Sequence, residues 1–437
     1  MPPTNVIDRY PVKTNMRWYV FLAVLAICAI NYFDRAIISI CMPVMQKDLQ
    51  FSAAVVGLVF SSFFWGYTLM QIPIGWLADR MRPGKLLVAS GFLWAVIQLV
   101  TGLITGARSF IFLRVLLGIS ESPMYPAGSK LQSVWLPSAD RGRGSALLAA
   151  GSDVGIAIGG VLVPVFLVSF GGWRAALSAA GVVTFFVVLA CYKALNSEPA
   201  TSPSVNQAER DYIQTALAEE YEASQAARIS SGKAVGWQEY LTSRSFWSMC
   251  MGFYCVDALY YGVMTWGPLY LSTTHHLNIN SLGGAILIIY TVAVCGALFG
   301  GYWTDKCRRG GTDINALMRK SLTPLGVIIA VCMYFLAYAE NVYIAVALLC
   351  VAMFCLKWSL CIYWSTPATI AQRKDIGTTA GAMNFIGNLS GVATPIIIGL
   401  IVGATGSYFW ALMTFLGYGL GSCIFPWFLD YSRKIGS

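Results

Sequence analysis

The most constraining feature of this chain is its series of long, continuous apolar stretches. A helix crosses the hydrocarbon core of a bilayer with about 20 residues at a rise of about 1.5 Å per residue. The stretches are continuous rather than alternating, which excludes the strands of an outer-membrane barrel. The sequence therefore predicts an all-α integral membrane protein with twelve transmembrane helices. The predicted spans are 17–43, 53–78, 85–106, 109–131, 143–170, 173–194, 245–272, 281–304, 317–338, 341–371, 377–403 and 407–429.

The distribution of basic residues predicts how these spans cross the membrane. Only 11% of the 437 residues are charged, against about 25% in soluble domains. Three of the 29 basic residues lie in outer connections and three within spans, which leaves 23 on the side of the termini. This bias predicts cytoplasmic termini, and it explains the net charge of +9 without a nucleic-acid partner. The six exceptions are Lys47, Arg108, Arg174, Arg35, Arg114 and Lys357.

A polar segment and an internal repeat divide the chain into two similar halves. Residues 195–244 are polar and include a predicted helix over 208–227 outside the bilayer. We therefore predict two six-helix bundles, 1–194 and 245–437, joined by a cytoplasmic middle loop. The sequence GWLADR at 75–80 ends the second span, and GYWTDK at 301–306 ends the eighth, 226 residues later. Two such hexamers at equivalent places indicate duplicated halves related by pseudo-symmetry, a common plan of transporters.

Ionisable residues inside the spans predict a functional site, because charges are costly at that depth. Asp34 and Arg35 adjoin in the first span and point about 100° apart on a helix, so one can face a cavity while the other meets a neighbouring helix. Arg114 and Glu121 are seven residues apart, on one face of the fourth span. Arginine grips a carboxylate with two hydrogen bonds, and its position alters the proton affinity of a nearby acid. These groups predict binding of an organic anion coupled to a proton, with a purely structural salt bridge as the alternative.

Three further charges in spans leave two interpretations open. Asp153, Asp257 and Lys357 lie in the fifth, seventh and tenth spans. Lys357 could bind a second carboxylate of a dicarboxylate substrate, or it could pair with Asp257, since unpaired charges at that depth are expensive. We favour the pair with Asp257.

The sequence offers little for chemistry other than transport. It has two histidines, adjacent at 275 and 276, and neither an HExxH nor a GxSxG pattern. We therefore predict no metal site, no cofactor and no enzymatic activity. A channel is the remaining alternative, and it would show uptake without saturation.

The motifs resemble those of known transporters over essentially the whole chain. The paired GxxxD hexamers, twelve spans and long middle loop resemble the major facilitator superfamily. Within it, three segments are similar to the anion:cation symporter family, which includes bacterial galactonate, glucarate and hexuronate transporters. Those segments are YFDR at 32–35, YTLMQIP at 67–73, and RVLLGISESPMYP at 114–126.

The resemblance implies a proton-coupled symporter that imports a sugar acid by alternating access, as a monomer, in a bacterial inner membrane. Carriers of aromatic or dicarboxylic acids, and uniporters or exchangers without proton coupling, remain alternatives. Asp34 and Glu121 would exchange protons, and Arg114 would pair with one of them. The candidate substrate-binding residues are Arg35, Tyr32, Tyr67, Arg114, Glu121, Ser152, Trp364, Asn384 and Lys357. The candidate gate residues are Asp79, Arg80, Asp305, Lys306 and Arg309.

Overall fold

A computed structural model describes residues 14–230, 237–309, 313–371 and 375–428, together with Asp430, Tyr431, Arg433 and Ile435. Every regular element in these ranges is a helix, as the composition predicted. The helices are α1 (Met16–Asp48), α2 (Ala53–Arg80), α3 (Pro83–Thr101), α4 (Ala107–Glu121), α5 (Met124–Trp135), α6 (Ser138–Ser169), α7 (Trp173–Leu195), α8 (Gln207–Ser230), α9 (Trp237–Thr242), α10 (Arg244–Thr274), α11 (Ile279–Arg309), α12 (Ile314–Leu336), α13 (Val342–Ile370), α14 (Ile376–Thr405) and α15 (Phe409–Ile424). We call α1–α7 the first half and α10–α15 the second half.

The helices follow the predicted transmembrane spans in order. Ten of them in the described ranges are long and apolar enough to cross a membrane. The other two predicted spans fall on α10, which is 31 residues long and has Asp257 near its middle, and on the α4–α5 pair. The chain is a multi-pass membrane protein.

The predicted span 109–131 is interrupted in the structure, because α4 ends at Glu121 and α5 begins at Met124. Pro126 has no N–H group to donate to the Ser122 carbonyl four residues earlier, and a proline ring clashes with that carbonyl. The break leaves Glu121 as the last residue of α4, with its side chain fully buried. Interrupted helices inside membranes occur where the backbone lines a cavity or lies within protein.

Contacts between helix termini define two ends of the helical bundle. Arg17 at the start of α1 binds Asp140 at the start of α6, so these termini share one end. We call it the basic end, after the basic residues that the sequence predicts on the side of the termini. Asp48 at the end of α1 binds Arg174 at the start of α7, at the end that we call the opposite end.

The two halves touch at the opposite end through α2 and α14. A Cβ added to Gly57 on α2 would lie 2.5 Å from the carbonyl oxygen of Pro395 on α14, and one added to Gly399 would lie 3.0 Å from the Gly57 Cα. Towards the basic end of the same two helices, a Cβ on Gly75 or Gly381 would meet no described atom within 4 Å. The described close contact between α2 and α14 is therefore made at the opposite end and not at these two positions towards the basic end.

This close approach predicts a conformational effect of Gly57→Leu. Leucine cannot fit where backbone meets backbone, so we expect the variant to lose the closed opposite end. Hydrogen–deuterium exchange should then increase around residues 53–60 and 395–403 in the variant. Gly75→Leu on the same helix is the control, since its side chain has room, and its exchange pattern should match the parent. Parental exchange in Gly57→Leu would contradict this packing.

The middle helix α8 is attached to the first half through a buried carboxylate. Glu209 is fully buried and accepts hydrogen bonds from the Met16 and Arg17 backbone N–H groups, at 3.0 and 3.2 Å. It also binds the Arg17 side chain at 2.9 Å. Asn15, at the N-cap of α1, gives no side-chain cap. Glu209 therefore caps α1 from a distant part of the chain and complements its helix dipole.

We expect Glu209→Ala to destabilise the protein. The change removes a cap and leaves Arg17 without this partner, a loss of about 3 kcal/mol. Thermal unfolding of the purified protein in detergent should show a clearly lower melting temperature. Glu219→Ala, on the exposed side of α8, should change stability by less than about 0.5 kcal/mol. Equal melting temperatures for the two variants would contradict the role of Glu209 as a cap.

Candidate functional site

The predicted charges of the first and fourth spans meet in the interior of the first half. The Nε of Arg35 on α1 donates to Oε2 of Glu121 on α4 at 2.9 Å. Both side chains are almost completely buried, at 1% and 0% exposure. The pairing differs from the one that the resemblance implied, in which Arg114 pairs with an acid.

Three aromatic rings surround the Arg35 guanidinium. Its central carbon lies 4.5 Å from the ring centre of Tyr32, 4.4 Å from Phe63 and 4.8 Å from Tyr67. Each contact is a cation–π interaction, which strengthens when the cation is desolvated. The rings hold the guanidinium in place, and the Tyr67 hydroxyl lies near it. Tyr32 and Tyr67, two of the candidate substrate-binding residues, thus lie beside the cation, and their role in binding stays a prediction.

The terminal nitrogens of Arg35 remain available for an anion. Nη1 and Nη2 are buried, and neither has a hydrogen-bond partner in the described part of the chain. A carboxylate takes two parallel N–H bonds from a guanidinium, and a buried donor without a partner is costly. Arg35 is therefore oriented to accept a carboxylate while Glu121 occupies its Nε.

Asp34 points away from Arg35, as their adjacency on a helix predicted. Its Oδ2 accepts a hydrogen bond from the Thr184 hydroxyl on α7 at 2.8 Å. Its Oδ1 is buried with no partner among the described residues. Asp34 is thus a buried acid held by a neutral hydroxyl rather than by a cation.

Arg114 lies on the same side of the site as Glu121. Its guanidinium carbon is 4.8 Å from the centre of the Phe63 ring, which Arg35 also contacts. Its Nε and Nη1 are buried and have no partner within the described ranges. The first half therefore contains two buried arginines and two buried acids, with a single ion pair of 4.0 Å or less among the four.

Lys357 pairs with Asp153, not with Asp257 as we favoured from the sequence. Lys357 Nζ on α13 lies 2.8 Å from Asp153 Oδ1 on α6, so this pair joins the two halves. Tyr260 on α10 lies beside both, with its ring centre 3.8 Å from Nζ and its hydroxyl 3.4 Å from Asp153 Oδ1. Which acid reaches Lys357 depends on how the halves meet, and sequence position does not record that. Asp257 is buried at 5% exposure and has no ion pair in the described ranges.

The other predicted substrate-binding residues differ from one another in burial and in their contacts. Ser152 is buried, and its hydroxyl donates to the Ala149 carbonyl of its own helix at 2.8 Å. Trp364 is 49% exposed and meets Phe253 edge-on. Asn384 accepts from Asn388 at 3.2 Å. Their roles in binding remain predictions.

One polar contact in the second half, between Tyr261 and Asn388, was not predicted from the sequence. The Tyr261 hydroxyl donates to Asn388 Oδ1 at 3.0 Å, and both residues are buried. Tyr261 also packs edge-on against Phe64 of the first half, with ring centres 4.5 Å apart. The sequence signal was an asparagine and a tyrosine in apolar spans, but it does not reveal that α10 and α14 pack together.

The predicted gate residues are only partly described. The side chains of Asp79, Asp305 and Arg309 lie outside the described ones. Arg80 is exposed and stacks on the Trp76 ring at 3.8 Å, and Lys306 is exposed and lies 5.9 Å from the Tyr302 ring. Each of these two cations contacts an aromatic residue of its own helix, and the gate role remains a prediction.

Comparison with known proteins identifies the family that has this architecture. The family model of the Major Facilitator Superfamily matches residues 24–395. The chain belongs to this superfamily. It is a transporter and not an enzyme, and its all-helical fold is that of the superfamily, as the sequence motifs predicted.

The curated relatives of this superfamily member carry names of sugar-acid transporters. The "Probable galactarate/D-glucarate transporter GudP" of Bacillus subtilis is 29% identical over 424 residues, covering 95% of this chain and 92% of the relative. GarP of Escherichia coli K12, with the same description, is 28% identical and covers 94% of each chain. The "D-galactonate transporter" of an Escherichia coli O6:H1 strain is 27% identical, covering 89% of this chain and 90% of the relative.

A solved structure supports the fold. A bacterial homolog of the human lysosomal transporter Spinster, in an inward-facing and unoccupied conformation, superposes with a TM-score of 0.72. It is 17% identical and covers 95% of this chain and 96% of that one. The likeness extends over both halves.

Proposed function

We propose that this protein is a proton-coupled symporter that imports a sugar acid through a bacterial inner membrane by alternating access. The names of the relatives support the substrate class, since they specify galactarate, glucarate and galactonate. The distribution of basic residues supports an orientation in which the basic end faces the cytoplasm. In that orientation the contact of the halves at the opposite end corresponds to an inward-open carrier.

The observation that carries this proposal is the buried Arg35 with its free terminal nitrogens. An apolar enclosure of three rings strengthens its attraction for an anion, because little water competes. The planar fork matches a carboxylate in geometry as well as in charge. Sugar hydroxyls would find acceptors and donors in Tyr32, Tyr67 and Asn388.

Proton coupling follows from the competition between Glu121 and the substrate for Arg35. When Glu121 is ionised, it attracts the guanidinium and repels an incoming carboxylate. When Glu121 takes up a proton, it no longer repels the anion, so anion binding and proton binding favour each other. A proton carried with the substrate also offsets one negative charge against the membrane potential, worth about 2.3 kcal/mol per 100 mV.

Alternating access requires the two halves to exchange their region of contact. The glycine contacts between α2 and α14 close the opposite end here. Rocking of the halves would open that end and bring the basic ends of the same helices together. The substrate site would lie between these ends, on the middle part of α1 and the C-terminal part of α4.

Reconstituted vesicles provide the test. The purified protein should exchange labelled galactarate or galactonate for unlabelled acid without any gradient, and an acidic exterior should drive accumulation inside. A protonophore should abolish the accumulation but not the exchange. Exchange without accumulation under the pH gradient would refute proton coupling, and no exchange of any sugar acid would refute the substrate class.

A further inference from the structure

We propose that Lys357 and Asp153 form a second carboxylate site, so that the preferred substrate is a linear hydroxylated dicarboxylate bound between the two halves. This inference rests on the proposed sugar-acid transport and adds a position for the second acid group. One carboxylate binds Arg35 in the first half. The other carboxylate displaces Asp153 and binds the ammonium of Lys357 in the second half.

The geometry of the pair resembles that of Arg35 and Glu121. In each, a buried cation makes one contact of less than 3 Å with one carboxylate oxygen: 2.9 Å for Arg35 and 2.8 Å for Lys357. The Lys357 side chain is 9% exposed and that of Asp153 4%. An ammonium has three donors, and this one is charged and nearly desolvated. A second carboxylate can therefore bind it strongly.

The pair cannot be a permanent structural bridge in a carrier of this kind. Asp153 belongs to the first half and Lys357 to the second. Rocking of the halves changes their separation, and a buried lysine left without an anion is costly. An anionic substrate group that moves with Lys357 satisfies it in both positions.

Tyr260 and Asp257 favour recognition at this place. The Tyr260 ring, 3.8 Å from Nζ, fixes the ammonium on its second-half side. Asp257 is buried on the same helix, makes no ion pair among the described residues and is close enough to Lys357 to interact with its charge. Lys357 is thus held by its own half and is not anchored only by Asp153.

The two cations border one continuous region. A chain of aromatic rings leads from Arg35 to Lys357 by way of Phe63, Phe64, Tyr261 and Tyr260, with successive ring centres 5.3, 4.5 and 5.5 Å apart. Both cations therefore border the same cluster of buried aromatic side chains, where the two halves meet.

The test compares two acids that differ at one carbon. Galactarate has a carboxylate at each end, and galactonate has a carboxylate at one end and a hydroxymethyl group at the other. Lys357→Met should reduce the apparent affinity for galactarate in counterflow by about tenfold to a hundredfold, the loss of a charged hydrogen bond. It should leave galactonate exchange within about threefold of the parent, since Arg35 remains. Lys193→Met, an exposed lysine near the end of α7, should change neither.

Asp153→Asn separates recognition from structural bridging. It breaks the ion pair but leaves the ammonium, so galactarate should remain the preferred acid. Loss of both acids in Lys357→Met, or equal loss of galactarate in Asp153→Asn and Lys357→Met, would show a structural bridge and overturn the inference. A parent that exchanges galactonate alone would overturn the inference while the proposed function stands. A parent that exchanges neither acid would refute the proposed function itself.

Discussion

Replacing Arg35 with glutamine is expected to abolish sugar-acid uptake. Glutamine supplies no charge and no planar fork, so the carboxylate loses two charge-assisted hydrogen bonds, together worth about 3 kcal/mol or more. That corresponds to at least a hundredfold weaker binding. The ring contacts of Tyr32, Phe63 and Tyr67 also lose their cation. Counterflow of labelled acid in proteoliposomes measures the effect directly.

Arg35→Lys provides the matched comparison, because it keeps the charge and removes the fork. We expect lysine to restore only a minor part of the exchange, since an ammonium makes a point contact where the site presents room for two parallel bonds. Arg174→Gln, at an exposed arginine of the opposite end, should behave as the parent. Uptake by Arg35→Gln within threefold of the parent would contradict the assignment of the carboxylate to Arg35.

Replacing Glu121 with glutamine is expected to separate transport from its driving force. Glutamine has the shape of the protonated acid, so Arg35 stays free for the anion at every pH. Exchange should persist, and the apparent affinity for the sugar acid should no longer rise as pH falls. Accumulation driven by a gradient of one pH unit, about tenfold for one coupled proton in the parent, should fall towards equality of the two sides.

Asp34 is the second predicted proton carrier and requires the same comparison. Asp34→Asn keeps an acceptor for the Thr184 hydroxyl, so the fold should persist, and the double variant with Glu121→Gln should show exchange without accumulation. Glu219→Gln, exposed on α8, serves as the control. A double variant that concentrates its solute as well as the parent does would refute the proposed coupling.

Much of this architecture could be predicted from the sequence, because a bilayer leaves few alternatives. Apolar runs of the required length determined the order of the helices, and the charges within them marked the site. Asp34 and Arg35 face different neighbours, as the angle between adjacent helical positions requires. The break after Glu121 was also encoded, in Pro123 and Pro126, although we had predicted a single span there.

The contacts between side chains of different helices could not be predicted from the sequence. Whether Glu121 meets Arg35 depends on how α1 and α4 lie against α2, whose Phe63 contacts both arginines. Lys357 meets Asp153 because its long side chain reaches from α13 to α6 in this arrangement of the halves. A carrier visits more than one arrangement with one sequence, so such contacts belong to a conformation and not to the chain alone.

The glycine contacts between α2 and α14 have a consequence for how the carrier moves. Attraction between such closely apposed backbones is largely dispersion, and a gap of about 0.5–1 Å already forfeits a quarter to a half of it. Small excursions therefore already cost a quarter to a half of what complete separation costs. We expect the opposite end to behave as a latch with few intermediate positions, so that the carrier spends little time open to both sides and does not dissipate the gradient it uses.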